Sequence, residues 1–269
     1  MLLAFPPGGP TDINARLFAQ KLTEQTGQTF VVENRPGAGG NIAAAEAAKA
    51  APDGTTIFYN TSAITIAPAL QASVPFDPVK DFAPVALTAT VPLVLAIHPG
   101  VPAKNLQEFI AYARANPGKL NYASSGSGTI THLSGALFAS QLGLKMQHIP
   151  YKGSAPALVD VVGGQTQMMI DTISTVLPEV PMLEEAANLP GFEMSAWQGI
   201  VVPAATPREI VARLNAEINC AVQNPDLRQK LALGGSEPLG GTSEHYAAYI
   251  RAELQRWTRV VKDAGARAD

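Results

Sequence analysis

Twice in this chain an apolar, strand-like run opens into a glycine-rich loop that feeds directly into a helical pattern. The first loop is Pro6-Pro7-Gly8-Gly9-Pro10-Thr11-Asp12, and the second is Ser124-Ser125-Gly126-Ser127-Gly128-Thr129-Ile130-Thr131-His132. Glycines let the backbone bend until several N–H groups point one way. The helix that follows adds a positive N-terminal dipole equivalent to about half an elementary charge. One such junction belongs to any α/β protein. Two of them, separated by about a domain's length of sequence, point to a ligand whose carboxylate or similar group is held from both sides.

Helical patterns alternate with short β-branched or apolar runs almost throughout, which predicts an α/β fold with mostly parallel strands. A first helix is expected from about Asp12 to Thr26, with Ile13, Leu17, Phe18 and Leu22 toward the sheet and Gly27 as C-cap. Thr29 to Glu33 then reads as a buried strand and Thr56 to Asn60 as another. A strong strand runs from Pro92 to Pro99, and shorter ones are expected at Leu120 to Ala123, Gln147 to Tyr151, Gln167 to Asp171 and Trp197 to Pro203. Helices are expected from about Thr131 to Leu142 and from Ser154 to Val162. Asn105 with Glu108 reads as a capping box, as does Thr206 with Glu209, with Pro207 at the first helical position. Asn224-Pro225 and Thr242-Ser243 open two more helices, so the C-terminal third is helix-dominated.

Charge excludes several partners. The net charge is -3 with no cluster of Lys or Arg, so neither nucleic acid nor an anionic membrane surface is favoured. No apolar run reaches the roughly 18 residues of a membrane span. Met1-Leu2-Leu3-Ala4-Phe5 is too short for the core of a signal peptide and reads as the tail of a first strand. The single cysteine, Cys220, cannot form an internal disulfide; it is read as a packed thiol on a helix whose stripe is Val211, Leu214, Ile218 and Val222. His98, His132, His148 and His245 show no metal-ligand spacing, and neither a metal nor a cofactor is expected.

Four segments in order carry a family likeness: Pro6 to Asp12, Val32-Glu33-Asn34-Arg35-Pro36-Gly37-Ala38-Gly39-Gly40-Asn41, Pro75-Phe76-Asp77-Pro78-Val79-Lys80-Asp81-Phe82, and Pro150-Tyr151-Lys152-Gly153. Together, over nearly the whole chain, they resemble the extracytoplasmic solute receptors of tripartite tricarboxylate transporters, the Bug-type receptors. The resemblance implies a type II periplasmic-binding-protein fold, two α/β lobes around a ligand cleft, and no catalytic chemistry. It implies residence in the periplasm, delivery of a small carboxylate to membrane permease subunits, and carboxylate binding through backbone N–H groups and bridging waters. Lobe one would be residues 1–92 and 197–269, lobe two residues 93–196, in a monomer that closes about a hinge. Where family members carry a helix end and a further strand, only Glu179 to Ala187 stands here, a departure that bears on the hinge.

The candidate binding residues follow from both readings. Pro7, Gly8, Gly9, Thr11 and Asp12 form one cradle, Asp12 being read as a helix cap because a carboxylate repels an anionic ligand. Ser125, Gly126, Ser127, Gly128, Thr129 and Thr131 form the other, with His132 as a polar packing or hydrogen-bonding partner. Thr61, Ser62 and Asp171 lie at strand ends, where open α/β sheets bind ligands. Lys152 is expected in solvent and Arg35 in a turn. Two other classes are admitted: a hydrolase or transferase using Ser127 and His132 on a carboxylate or phosphate ester, and a cytoplasmic effector-binding module. Ser127 lacks the Gly-x-Ser-x-Gly context of a nucleophile elbow, and no DNA-binding segment appears.

Overall fold

The computed structural model describes residues 1–176 and 195–264; the Glu179 to Ala187 departure lies outside the described residues. The elements are β1 (Leu2–Leu3), α1 (Pro10–Thr26), β2 (Glu33–Asn34), α2 (Asn41–Ala48), β3 (Phe58–Thr61), α3 (Ala63–Leu70), β4 (Phe82–Ile97), α4 (Leu106–Ala115), β5 (Leu120–Ser124) and α5 (Ile130–Leu142). They continue with β6 (Met146–Pro150), α6 (Ser154–Val162), β7 (Met168–Thr172), α7 (Ile173–Val176), β8 (Ser195–Pro203), α8 (Arg208–Gln223), α9 (Pro225–Leu233), β9 (Glu237–Pro238) and α10 (Ser243–Ala264). The chain is thus an α/β protein, with strand order β2-β1-β3-β8-β4-β7-β5-β6 and β9 attached to β4.

β4 organises this sheet. From Phe82 to Pro92 it pairs antiparallel with β8, and from Leu93 to Ile97 it pairs antiparallel with β7. The strand expected from Pro92 therefore begins ten residues earlier, at Phe82. Two prolines obscured it, and the structure shows how the strand accommodates them. Pro84 lies at a register shift in the pairing with β8, and Pro92 stands where β4 changes partner, both places where a missing N–H costs little. The expectation of mostly parallel strands is corrected by the same element. β1 with β2 and β3, and β5 with β6 and β7, are parallel, but every pair involving β4 or β8 is antiparallel.

Apolar side chains sort into separate cores on either side of that change of partner. Phe18, Tyr59, Ile200 and Ile218 belong to one, Phe58, Phe82, Trp197 and Tyr246 to a second, and both sit on the β1–β3–β8 side. Phe109, Leu120, Phe138 and Met168 make a third around β5 and β7. A smaller cluster bridges the halves: Ile66 of α3, Ile130 and Leu133 of α5, and Trp257 of α10.

Several local expectations need correction. Thr29 to Glu33 is not a buried strand: only Glu33–Asn34 pairs, at the sheet edge, and Val31 is 59% exposed. Ile13 faces solvent at 51% exposure, because the buried stripe of α1 runs through Asn14, Ala15, Phe18, Ala19 and Leu22. Cys220 is exposed; the buried stripe of α8 is Leu214, Ile218, Ala221 and Val222, and a residue two on from Ile218 points about 200° away. The Thr206 capping box does not form. Pro207 is extended (φ -52°, ψ 140°) and itself caps α8, which leaves Thr206 one residue too early and its buried Oγ1 without a partner among the described residues. The other caps hold: Asn105, Asn224 and Thr242 accept from the amides of Glu108, Leu227 and His245 at 2.9, 3.2 and 3.1 Å.

Candidate binding cleft

The two glycine loops, although more than a hundred residues apart in sequence, line one cleft of about 680 Å³ of empty space, its open mouth included. From the first loop come Pro7, Gly9, Pro10 and Thr11; from the second, Ser125, Thr129, Ile130 and Thr131. Thr61 and Ser62 at the end of β3 and Asp171 in β7 line it as well. Four helices of eight residues or more begin at its wall: α1, α3, α5 and α6. Each brings unpaired N–H groups and the positive end of its dipole.

Among the described residues that line it there is no Lys, Arg or His, and Asp171 is the one acidic side chain. Such a cleft receives an anion through oriented dipoles and hydroxyl groups instead of a cationic clamp.

Local chemistry explains the shape of each loop. Gly9 caps α1 in an extended conformation with Pro10 at the first helical position, where a missing N–H costs nothing. In the second loop Gly126 and Gly128 take φ of +134° and +83°, conformations closed to most side chains. Thr129 then caps α5: its hydroxyl donates to the Gly126 carbonyl at 2.6 Å, and its oxygen lies 3.4 Å from the His132 amide. Thr131 returns to accept from the Ser125 amide at 2.9 Å.

Not every candidate reaches the cleft. Pro7, Gly9, Thr11, Thr61, Ser62, Ser125, Thr129, Thr131 and Asp171 line it, whereas Gly8, Asp12, Gly126, Ser127, Gly128 and His132 do not. Gly126 and Ser127 face a separate opening beside Gly37 to Gly40, Tyr151 and Lys152, and Lys152 is exposed.

Asp12 is buried behind the first loop, where it accepts from the Gly8 amide at 3.0 Å, Asn34 at 2.9 Å and Arg16 at 2.9 Å. Burial pushes its carboxyl up, but the hydrogen bonds from Arg16, Asn34 and Gly8 outweigh that and hold it below the ordinary aspartate value. The Asn34 amide also donates to the Phe5 carbonyl at 2.8 Å, so one side chain braces both sides of the loop.

His132 lies under the second loop. Its Nδ1 accepts from the Gly128 amide at 3.3 Å, and its ring stacks on His148 with centroids 3.9 Å apart.

Asp171 differs from Asp12. It is 1% exposed, and burial pushes its carboxyl above the ordinary value against the opposing hydroxyls of Ser154, Thr172 and Thr175 and the Thr172 amide. Its Oδ1 accepts from the Thr172 amide at 2.6 Å.

Sequence reasoning missed Gly153 to Pro156, Thr172, Trp197 and Gln198, all of which line the cleft. The strand, Lys152-Gly153 turn and Ser154 helix start repeat the junction chemistry of the two glycine loops and carried a usable signal. Trp197 and Gln198 carried none, since only the pairing of β8 with β3 and β4 brings them there. Both are held firmly. The Trp197 indole donates to Glu253 at 2.9 Å, and Gln198 Oε1 accepts from Asn14 and from the Tyr59 hydroxyl, each at 2.9 Å.

The sequence matches the profile of the tripartite tricarboxylate transporter family receptor over residues 14–181 and 173–266. It is 35% identical to protein BugT of Bordetella pertussis, over 99% of this chain and 89% of that protein. Among solved structures it is similar to Rpa4515 of R. palustris with adipate, at a TM-score of 0.92 and 35% identity over 98% of this chain and 96% of the other. It is likewise similar to MatC of Rhodopseudomonas palustris with bound malate, at a TM-score of 0.91 and 33% identity over 97% of each chain. These matches are to solute-binding receptors, not to enzymes. The likeness carried by the four sequence segments, the fold and the cleft of helix N-termini therefore agree, and this chain belongs to the Bug-type receptor family of the tripartite tricarboxylate transporters.

Proposed function

We propose that this chain is a periplasmic receptor that captures a small carboxylate in the cleft and delivers it to the permease subunits of a tripartite tricarboxylate-type transporter. The observation that carries the reading is the convergence of four helix N-termini and two glycine loops on a cleft whose described lining holds no cationic side chain. Charge-assisted hydrogen bonds contribute about 1.5 to 3 kcal/mol each. Helix dipoles add about 0.3 to 1 kcal/mol each. Three or four such contacts, less the ordering cost, reach the roughly 8 kcal/mol of micromolar binding. The adipate and malate held by the two R. palustris relatives support a carboxylate as the ligand class.

In this reading the protein acts as a monomer. Residues 1–92 and 197–269 form one lobe and residues 93–196 the other, with the hinge where β4 changes partner and β8 crosses back. The ligand's carboxylate rests on the amides around Gly9 and Thr11 and is then clamped by Ser125, Thr129 and Thr131 as the lobes close.

A thermal-shift screen tests it, with adipate, malate, succinate, citrate, aromatic carboxylates and acidic amino acids. A ligand at a hundredfold excess over its dissociation constant stabilises by about 2.7 kcal/mol. For a chain of this size that is a rise in Tm of roughly 5 to 10 °C. A folded sample that shifts with no carboxylate of the panel refutes the reading.

A further inference from the structure

Two polar atoms in the cleft wall are buried without a hydrogen-bond partner among the described residues: Asp171 Oδ2 and Ser62 Oγ. Both residues are 1% exposed. They come from opposite sides of the change of partner in β4, Ser62 from the turn between β3 and α3 and Asp171 from β7. Most buried polar groups in folded proteins are paired, because an unmet donor or acceptor loses its hydration for nothing. Two unmet groups on one cleft wall are a feature of that cleft.

Their chemistry differs from that of the loops. The helix N-termini present donors, which suit a carboxylate. Asp171 Oδ2 offers an acceptor: the Thr172 amide at 2.6 Å and the hydroxyls of Thr172 and Thr175 at 3.3 Å each go to Oδ1, and the Ser154 hydroxyl is a further partner of the carboxyl, yet Oδ2 has none. A second carboxylate set against that oxygen meets like charge, whereas a hydroxyl or ammonium group meets a partner. We propose that Asp171, with Ser62 in the same cleft wall, is the specificity-determining subsite, and that it selects carboxylates carrying a hydroxyl or amino substituent over the same skeleton without one. This rests on the receptor reading above and narrows its ligand class.

Calorimetric titration of the purified protein with succinate, malate and aspartate tests it, together with the parallel series 3-phenylpropanoate, 3-phenyllactate and phenylalanine. Within each series only the substituent changes. The subsite predicts that the hydroxy or amino member binds roughly 10- to 100-fold more tightly than its unsubstituted parent, the range expected when a buried acceptor gains its donor. Asp171→Asn keeps the shape and the Oδ1 contacts but removes the charge. It should reduce that preference to within about threefold while the parent acid binds as well as before or better. Ser62→Ala, which removes the second unmet hydroxyl alone, should lower the preference part way.

A parent that binds wild-type protein as tightly as its substituted partner overturns the subsite, and so does an Asp171→Asn variant that keeps the full preference. Binding of some other carboxylate with none of these six overturns the subsite and leaves the receptor reading standing. Binding of no carboxylate at all refutes the receptor reading itself. The wild-type comparison decides the matter even if a variant fails to fold.

Discussion

Replacing Gly39 with alanine is expected to weaken ligand binding much more than it weakens the fold. Gly39 lies in the loop before α2 at φ +62°, and a Cβ built there stands 2.2 Å from the Ser127 carbonyl oxygen and 3.3 Å from its carbon. That neighbour is backbone of the second glycine loop, on the other side of the proposed hinge, so it cannot rotate away. Two costs follow. An L-residue in the left-handed region costs about 1 to 2 kcal/mol in every state of the protein. Overpacking against a rigid neighbour costs about 1 to 3 kcal/mol more, and only where the two loops meet, which under the proposed closure is the ligand-holding state. The first cost lowers Tm by a few degrees. The second weakens the dissociation constant by roughly 5- to 150-fold, since each 1.4 kcal/mol is a factor of ten. Gly118→Ala is the control: its φ is +77° and nothing lies within 4 Å of an added Cβ, so it carries the strain without the contact. Thermal melts and calorimetry of both variants, with the tightest carboxylate of the panel, separate the two effects. If Gly39→Ala binds as tightly as Gly118→Ala, the two loops are not brought together by closure, and the reasoning fails.

Two further changes probe the supports of the cleft. Glu253 is 5% exposed and accepts from both the Trp197 and the Trp257 indole at 2.9 and 3.0 Å, so Glu253→Leu strands two buried N–H groups. At about 1 to 3 kcal/mol each, urea denaturation should show a loss of roughly 2 to 6 kcal/mol, and a loss below about 1 kcal/mol would refute that account. Asp12→Ala removes the acceptor shared by Gly8, Asn34 and Arg16 and should cost about 2 to 3 kcal/mol at neutral pH. The folded carboxyl lies below the ordinary value of 3.8, so its contribution is complete above that value and is lost as the pH falls through the folded pKa. Melts of wild type and variant should therefore converge in acid; a difference that stays constant to the lowest pH at which both fold contradicts the assignment.

Much of this protein is written locally. The Asn105, Asn224 and Thr242 caps, the Gly27 helix end and both glycine loops are recognisable because each depends on backbone groups within about four residues. For the same reason nine candidate residues are found on the cleft wall, each in or beside a strand end, a helix start or the loop that joins them. The misreadings share the opposite cause. Val31 and Ile13 are apolar in sequence but lie on outer surfaces that only the packing of neighbouring elements defines. Asp12, read as a helix cap beside the ligand, instead braces the loop from behind, where Asn34 and Arg16 meet it, and Gly9 is the cap.

Taken alone, the amino-acid sequence determined the alternation of elements, their caps and the two bent loops whose amides are free to point at an anion. Which loops face each other was decided by tertiary structure, because β4 pairs first with β8 and then with β7 and so folds the chain's two halves against one crevice. The same pairing set Trp197 and Gln198 into the wall and left Ser62 and Asp171 buried there with an oxygen unmet. Backbone chemistry acts over a turn or two and can be read along the chain. Burial of a particular oxygen depends on residues more than a hundred positions away, and exists only once they have packed.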